Sequence, residues 1–383
     1  MNSTIENQDG FEYLESLRKE SDQKKYSFSK FADYMEAKAR KQGIPIDGQF
    51  ELSPLCNLNC GMCYVHLTPG QMGPRSLLTV EQWEDLFRQA YEQGMFQASL
   101  TGGECLLYPG FERLYLMLHS LGCQVNVLTN GVLLNEEKIA FFKEHPPAQL
   151  QITLYGDSED TYERVTGQRV FHTVLHNLQR IREEGFPLLI TITPNGALGE
   201  SVFETVRLAK SITNNYFINT SLFDPPDEPW RQSTVGEPDT AFYAKILRFS
   251  KELNGKTVQE RAESELPLPG GPCKTCGKPG LRCGGGRSGF VINWKGEMKI
   301  CNRLSPKSYP LRDGFAVAWK EINDAAENWP RAQECQDCAY EDICGICAAD
   351  ALKCVEPGKQ PKALCERTRY LASRGVLPLP CSE

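Results

Sequence analysis

The sequence GQFELSPLCNLNCGMCYVHL, residues 48–67, places three cysteines directly after a predicted β-strand. The strand is predicted over 48–55, and Cys56, Cys60 and Cys63 follow it with the spacing C-x3-C-x2-C. A structural zinc site usually takes four protein ligands, whereas three thiolates on one loop suit a four-iron cluster with one iron left without a protein ligand. An open coordination position is typical of a catalytic metal centre, so this loop is a candidate catalytic site.

Short β-runs and helical stretches alternate on both sides of this loop. Strands are predicted over 48–55, 97–103, 123–131, 149–156, 187–195 and 216–223, and helices over 79–94, 111–122, 135–145, 171–185, 201–212 and about 240–253. Six strand–helix units in succession favour a parallel α/β barrel or an open doubly wound sheet. In both folds ligands bind at the carboxyl ends of the strands, where the cysteine loop and the sequences TGGEC, TNG and TLYGD occur.

Composition narrows the class of protein. A net charge of −7 and a pI near 5.5 argue against a nucleic-acid or anionic-membrane partner. No run approaches the length of a membrane span, and the first residues lack the pattern of a secretory signal, so we expect a cytoplasmic protein. Sixteen cysteines in such a chain indicate metal or redox chemistry, because disulfides seldom persist in the cytosol. An isolated cysteine such as Cys123 can simply be a small buried residue.

Three parts are predicted along the chain. Residues 1–46 form a polar, helix-prone extension without cysteine, whose helix could end at Gly43. Residues 47–265 contain the strand–helix units. Residues 266–383 begin with the proline-rich stretch LPLPGGPC and contain eleven of the sixteen cysteines. The second and third parts are therefore predicted to be two domains.

Two further motifs accompany the cysteine spacing: TGGE (101–104) ends the second predicted strand and TNG (129–131) ends the third. With these motifs the chain resembles the radical S-adenosylmethionine (radical SAM) enzymes. The resemblance implies a [4Fe–4S] cluster on the three cysteines of the loop, with SAM on the open iron. SAM would be cleaved to a 5′-deoxyadenosyl radical that takes a hydrogen atom from the substrate. The expected fold is α/β, a partial (β/α)6 TIM-like barrel followed by a cysteine-rich C-terminal domain.

The same resemblance implies contacts to SAM. Glu104 would hold the SAM amino group, and the two glycines before it would allow close backbone approach. The position before the third cysteine is usually aromatic in the family and lies near the adenine, whereas here it is Met62, whose thioether can fill that role. The candidate SAM-contacting residues are Met62, Tyr64, Gly102, Gly103, Glu104, Asn130, Thr153 and Arg164.

A second recognisable spacing occurs among the C-terminal cysteines. The sequence between Cys283 and Cys301 predicts a hairpin with its turn at NWKGE (293–297). Residues 335–347, CQDCAYEDICGIC, then contain four more cysteines. This pattern resembles the SPASM domain, an extension of one radical SAM subgroup that holds two auxiliary [4Fe–4S] clusters. The chain departs from it once, with two residues between Cys344 and Cys347 where three are usual.

The SPASM resemblance implies two sets of four ligands. The nearer cluster would be held by cysteines of the hairpin region, Cys283, Cys301 and Cys347, and by Cys276 or Cys273, of which we favour Cys276. The farther cluster would be held by Cys335, Cys338, Cys344 and Cys365. In all, three [4Fe–4S] clusters are expected, and the auxiliary ones would accept the electron left after hydrogen abstraction.

Alternatives remain open at this point. The cysteines of 335–347 could chelate one zinc ion, and the first three cysteines with His66 another, as in a zinc-binding interaction protein. A radical SAM dehydrogenase or lyase acting on a small metabolite is also compatible with the sequence. Sulfatase-maturing relatives carry an aspartate base after the second hairpin cysteine, but this chain has Asn302 there, and an amide cannot be a general base.

The remaining large class modifies ribosomally made peptides. We therefore expect a precursor-peptide substrate that becomes crosslinked, oxidised or epimerised, and an electron donor such as flavodoxin or ferredoxin. Cys105, directly after Glu104, is a candidate catalytic residue that could return a hydrogen atom to a substrate radical. The alternative for Cys105 is a small buried residue beside the barrel wall. Cys354 and Cys381 are left over from the ligand count.

Overall fold

Parallel strands at the centre of the molecule confirm the predicted strand–helix alternation. The computed structural model describes residues 28–72, 76–219, 221–222, 234–262, 266, 280–304, 308–336, 338–341 and 343–378. Strands β1 to β6 are Asp47–Glu51, Gln97–Thr101, Gln124–Thr129, Gln149–Thr153, Leu188–Ile192 and Tyr216–Ile218. Each strand ends earlier than predicted, because the polar and glycine-containing motifs leave the sheet to form the loops of the candidate site.

Helices follow the strands as predicted. Helices α1 to α9 are Phe28–Gln42, Pro69–Met72, Val80–Glu92, Phe111–Ser120, Glu136–Glu144, Glu159–Thr166, Phe171–Glu183, Val202–Ile212 and Thr240–Leu253. Helix α3 begins after Thr79, which forms a capping box with Gln82. Helix α6 is absent from the prediction, although Ser158 caps its start and Gly167, at φ 71°, ends it.

A single sheet contains nine strands in the described part of the chain, in the order β6-β5-β4-β3-β2-β1-β7-β8-β9. The last three are β7, Gly289–Ile292, β8, Glu297–Lys299, and β9, Tyr309–Pro310. Strands β7 and β8 form the predicted hairpin, and β7 also pairs in parallel with β1. The hairpin that leads to Cys301 is thus part of the barrel sheet, while the predicted domain boundary at 265/266 stays a prediction.

The strands present an apolar and a polar face. In β4, buried Leu150 and Ile152 alternate with half-buried Gln149, Gln151 and Thr153. The apolar residues of the strands pack with the helices in the main core. On the polar face side chains bond across strands; for example, the Gln151 amide donates to the Thr191 hydroxyl at 3.0 Å. The polar face is therefore the inner face of the partial barrel.

Short elements and loops make up most of the C-terminal region. Helices α10 to α13 are Phe315–Glu327, Gln333–Gln336, Ala348–Leu352 and Lys362–Ser373. Cys273, Cys276 and Cys381, and residues 1–27 of the predicted N-terminal extension, lie outside the described residues. Within the described ranges, helix lengths and apolarity fall short of what crossing a membrane requires.

Candidate active site at the carboxyl ends of the strands

The cysteine loop after β1 is held by backbone contacts with its neighbours. The Gly103 amide donates to the Ser53 carbonyl at 2.7 Å, and the Glu104 amide donates to the Leu55 carbonyl at 2.9 Å. On its other side, the Asn59 amide donates to the carbonyl of Thr166, the last residue of α6, at 2.9 Å. The loop that carries the three cysteines is therefore fixed between β2 and α6.

Both glycines of TGGE are required by this close approach. A Cβ atom on Gly102, where φ is 135°, would lie 2.4 Å from the Ser53 carbonyl oxygen. A Cβ atom on Gly103 would lie 2.3 Å from the Leu55 carbonyl oxygen. Contacts this short with backbone atoms cannot be relieved by a side-chain rotation. The glycines thus admit the cysteine loop itself, which places Cys56 beside the end of β2.

Glu104 is fully buried and heavily hydrogen-bonded. Its Oε1 accepts from the Thr129 hydroxyl (2.8 Å) and the Leu106 amide (3.1 Å), and its Oε2 accepts from the Asn130 amide (2.8 Å). Burial raises the pKa of this carboxyl group, while these hydrogen bonds lower it. A carboxylate offers about four acceptor positions, so an oxygen of Glu104 retains capacity for a further donor.

Asn130 connects the carboxylate to the cysteine loop. Its backbone amide bonds to Glu104, and its side-chain amide donates to Asn57 Oδ1 at 2.7 Å and lies 3.6 Å from Cys56 Sγ. TGGE, TNG and the first cysteine of the loop, which are distant in sequence, therefore meet in one hydrogen-bonded network. This is the arrangement that the strand-end argument predicts.

The thiols of the loop interact with one another. Burial raises the pKa of Cys56 to about 11, and burial followed by the charges of Cys63 and Cys56 raises the pKa of Cys60 well above its usual value. The Tyr155 hydroxyl, just after β4, donates to Cys60 and lowers that pKa in part. A bound cationic centre would offset burial and stabilise the thiolate forms, so three thiols in this position fit an iron cluster. Sequence reasoning missed Tyr155, although it lies within the strand-end motif TLYGD.

The other candidate SAM-contacting residues are more dispersed. Met62 packs against the main core, and Thr153 ends β4 on the polar face. Arg164 on α6 is exposed, and its Nε donates to the Ala197 carbonyl at 2.8 Å. Tyr64 points toward the C-terminal region, where its hydroxyl accepts from Asn302 Nδ2 at 2.8 Å. The roles assigned to these four residues by resemblance stay predictions.

Cys105 lies inside the core rather than in an open pocket. Its side chain is 0% exposed, and its Sγ donates to the Leu128 carbonyl at 3.3 Å. Burial, followed by the charge of Glu104, raises the pKa of the thiol well above its usual value. These contacts favour the packing alternative, and the role of hydrogen donor stays a prediction.

Seven C-terminal cysteines line a cavity of about 530 Å³. These cysteines fall into two groups according to which thiols interact electrostatically with one another. One group comprises Cys283, Cys301 and Cys347. The other comprises Cys335, Cys338, Cys344 and Cys365. These groups coincide with the two ligand sets implied by the SPASM resemblance, and the fourth ligand of the first set, Cys276 or Cys273, falls outside the described residues. Cys354 is exposed and belongs to neither group.

Two observations complete the description of the C-terminal cysteines. Burial, followed by the charges of the neighbouring cysteines, raises the pKa of Cys365 to about 12, so this thiol too needs a cationic partner to ionise. Among the described residues, no group of three or more His, Cys, Asp or Glu side chains is arranged to hold a single metal ion. The ligand assignments stay predictions.

Residues 50–212 match the model of the Radical SAM superfamily. This segment contains the strands, the cysteine loop and the network around Glu104. The fold and the match agree: this segment is a domain of the Radical SAM superfamily. The predicted resemblance and the α/β fold class are confirmed.

Two curated relatives show how far the likeness in sequence extends. The sporulation killing factor maturation protein SkfB of Bacillus subtilis (strain 168) is 27% identical over 165 residues, 43% of this chain and 39% of SkfB. The antilisterial bacteriocin subtilosin biosynthesis protein AlbA of the same strain is 21% identical over 79% of this chain and 67% of AlbA. The chain thus spans less than half the length of SkfB.

Among solved structures, Streptococcus suis SuiB bound to the precursor peptide SuiA superposes with a TM-score of 0.63 at 16% identity, covering 86% of this chain and 78% of SuiB. Native anSMEcpe with bound AdoMet gives 0.62 at 16% identity, covering 85% of this chain and 96% of the other. At these identities the likeness is one of fold.

Proposed function

We propose that this chain is a radical SAM/SPASM enzyme that matures a ribosomally made peptide by abstracting a hydrogen atom. The residue attacked would become crosslinked, oxidised or epimerised. The observation that carries the proposal is the network in which Asn130 joins buried Glu104 to Cys56. It brings an acceptor for a cationic amino group next to thiols suited to an iron cluster.

Specific roles follow for the residues of the strand ends. Cys56, Cys60 and Cys63 would hold a [4Fe–4S] cluster, which with bound SAM supplies the electron that cleaves SAM. Glu104, the one carboxylate of the network, would accept a hydrogen bond from the SAM ammonium group, a charge-assisted contact that is stronger than a neutral one. Asn130 would keep the Glu104 carboxylate and the cysteine loop in fixed positions relative to each other.

Two auxiliary [4Fe–4S] clusters are proposed for the C-terminal cysteine groups. Full ligation by four cysteines suits electron transfer or a structural role, because it leaves no exchangeable position. The grouping of Cys283, Cys301 and Cys347 apart from the other four cysteines supports this division. These clusters would accept the electron left after hydrogen abstraction, and a flavodoxin or ferredoxin would reduce the first cluster.

A peptide substrate is supported by the relatives. SkfB is named as a maturation protein for a sporulation killing factor, AlbA as a biosynthesis protein for a bacteriocin, and SuiB binds a precursor peptide. The hydroxyl and amide groups on the inner face of the barrel suit a polar substrate such as a peptide backbone. Which residue is modified, and which bond forms, lies beyond this proposal.

Anaerobic reconstitution tests the function directly. The purified chain is expected to carry about twelve irons and to form 5′-deoxyadenosine from SAM and reductant. A short precursor-peptide gene beside this one would favour the peptide substrate, and the peptide that it encodes should change mass in the same reaction. A colourless protein with stoichiometric zinc after anaerobic purification would contradict the proposal. Turnover of a small metabolite instead of the peptide would contradict the peptide substrate but not the radical SAM chemistry.

Replacing Glu104 with glutamine tests the central observation. The substitution keeps the shape of the side chain but removes the charge, so we expect SAM to bind roughly 10- to 100-fold more weakly. Equilibrium dialysis of the iron-loaded protein with labelled SAM measures the effect. Glu112→Gln serves as the control: Glu112 on helix α4 forms an ion pair with Lys138 on helix α5, and its replacement should leave SAM binding unaltered. Equal affinities for the two variants would disprove the role of Glu104.

A further inference from the structure

Asn302 lies between the two cysteine regions. It directly follows Cys301, the cysteine at the end of the β7–β8 hairpin, and its Nδ2 donates to the Tyr64 hydroxyl at 2.8 Å. Tyr64 directly follows Cys63 of the first loop, and the two residues are 238 positions apart in sequence. The carboxamide of Asn302 is therefore oriented by a residue of the other cysteine region.

The oxygen of the same carboxamide has no hydrogen-bond donor among the residues that the structure describes. Asn302 Oδ1 is buried, and none of the described residues donates to it. Buried polar atoms in folded proteins are nearly always paired, because an unpaired acceptor loses its bonds to water without compensation. An orphaned acceptor at the edge of a candidate active site indicates a group that is supplied by a ligand.

The neighbouring groups narrow the chemistry of that ligand. Arg303, the next residue, has its Nη2 2.9 Å from both oxygens of Asp350, so this cation and this carboxylate neutralise each other. Ser221 also donates to Asp350, at 3.0 Å. The neutral carboxamide oxygen is suited to a neutral N–H donor, unlike the charged Glu104, which suits an ammonium group. A peptide backbone supplies such donors at every residue except proline.

We propose that Asn302 is a substrate-binding residue whose Oδ1 accepts a hydrogen bond from one backbone N–H of the peptide. This inference rests on the proposed function, because it assumes a peptide substrate. Tyr64 acts through Asn302 as a positioning residue: its hydroxyl holds Nδ2 and thereby aims Oδ1 at the peptide.

The test combines a protein variant with peptide analogues. The probes are a synthetic precursor peptide, taken from a short open reading frame beside the gene and shown to be modified by the wild-type enzyme, and a series in which one backbone nitrogen at a time is methylated. Dissociation constants are measured by fluorescence anisotropy with the iron-loaded enzyme and SAM, without reductant. For wild type, methylation at one position should weaken binding roughly tenfold beyond that at its neighbours, because the N–H is lost. With Asn302→Leu, the unmethylated peptide should already bind about tenfold more weakly, and that methylation should add nothing.

Two further variants separate binding from folding. Tyr64→Phe removes only the group that orients the carboxamide, so a smaller loss of roughly threefold is expected in the same assay. Asn328→Leu, the same substitution at an exposed position, is the matched control and should bind like wild type. Should Asn302→Leu fail to fold, Asn302→Ala takes its place in the same cycle.

The outcomes distinguish the inference from the function on which it rests. If wild type modifies the peptide but methylation weakens wild type and variant by equal factors at every position, the assignment of Asn302 is wrong and the proposed function stands. Tight binding of the unmethylated peptide by Asn302→Leu would also overturn the assignment. If wild type neither binds nor modifies the peptide, the proposed function fails and this inference fails with it.

Discussion

The cysteine loop after β1 and the cysteine-lined cavity near the C-terminus differ in what holds them in place. The loop is bonded by its backbone to β2 and α6, and glycines at 102 and 103 remove the side chains that would keep it away. The cavity lies among loops and short helices, of which Gln333–Gln336 has four residues and Ala348–Leu352 has five. Helices of this length are not stable without tertiary contacts.

This difference indicates that the fold positions the metal site in the first region, whereas bound metal would support the fold in the second. In the first region the protein backbone builds the site, so the barrel fixes the positions of the three proposed cysteine ligands. In the second, seven cysteine thiols line a cavity between loops and short helices. Bound metal would therefore supply much of the structure there, as in small metal-binding domains. The comparison can therefore be tested by removing one cysteine from each region.

Cys60→Ala is expected to have the largest effect on activity. One of three proposed ligands of the first cluster is lost, so formation of 5′-deoxyadenosine should fall below detection. The apparent Tm should change little, because the backbone bonds of Ser53, Leu55 and Asn59 remain. Activity assays and thermal unfolding under anaerobic conditions measure both quantities. Cys123→Ala, a buried cysteine outside all three groups, is the control and should stay active.

A large fall in Tm for Cys60→Ala would break the comparison, since it would mean that the first cluster also supports the fold. Retained activity would contradict the assignment of Cys60 itself.

Cys344→Ala is expected to act mainly on stability. The thiol belongs to the group of four that includes Cys335 and Cys365, and its loss should release about four irons per chain. We expect the apparent Tm to drop by about 5–10 °C. This corresponds to a loss of a few kcal/mol of stability, at about 2–4 °C per kcal/mol for domains of 150–250 residues. Iron analysis and thermal unfolding give the readouts. Cys354→Ala removes an exposed thiol of the same region and should change neither.

If Cys344→Ala loses iron but keeps its Tm, the C-terminal clusters are not structural, and the contrast between the two regions disappears. Unchanged iron content would instead show that Cys344 is not a ligand.

The regular part of the fold could be predicted from sequence because its signals are local. Apolar residues alternate with polar ones in β2 to β4, which is the pattern of a half-buried strand. The capping residues Thr79 and Gln82 indicate where α3 begins. The strand-end position of TGGE and TNG followed from the rule for parallel sheets, and the Glu104–Asn130–Cys56 network bears it out. Helix α6 was overlooked although Ser158 and Gly167 carried cap signals.

Long-range pairings could not be predicted in this way. The parallel pairing of β7 with β1 joins Asp47 to Gly289, and no local pattern encodes which strand edge a hairpin will meet. The contact between Tyr64 and Asn302 depends on that pairing, because it follows from where the hairpin ends. For the same reason the orphaned Asn302 oxygen is visible only in the folded structure.

The smallest expected effect concerns Cys105, which lies in the first region but contributes to its packing. Its thiol is fully buried and bonded to the Leu128 carbonyl, so Cys105→Ala should cost about 1 kcal/mol of stability through a small cavity. Product formation should stay within about twofold of wild type, because a residue that only packs takes no part in the chemistry. A factor of two corresponds to about 0.4 kcal/mol in the activation barrier. Denaturant unfolding and mass-spectrometric product analysis provide the two measurements. Loss of product with retained cleavage of SAM would show instead that the thiol returns a hydrogen atom to the substrate, and the first region would then contain a reactive cysteine besides its three proposed ligands.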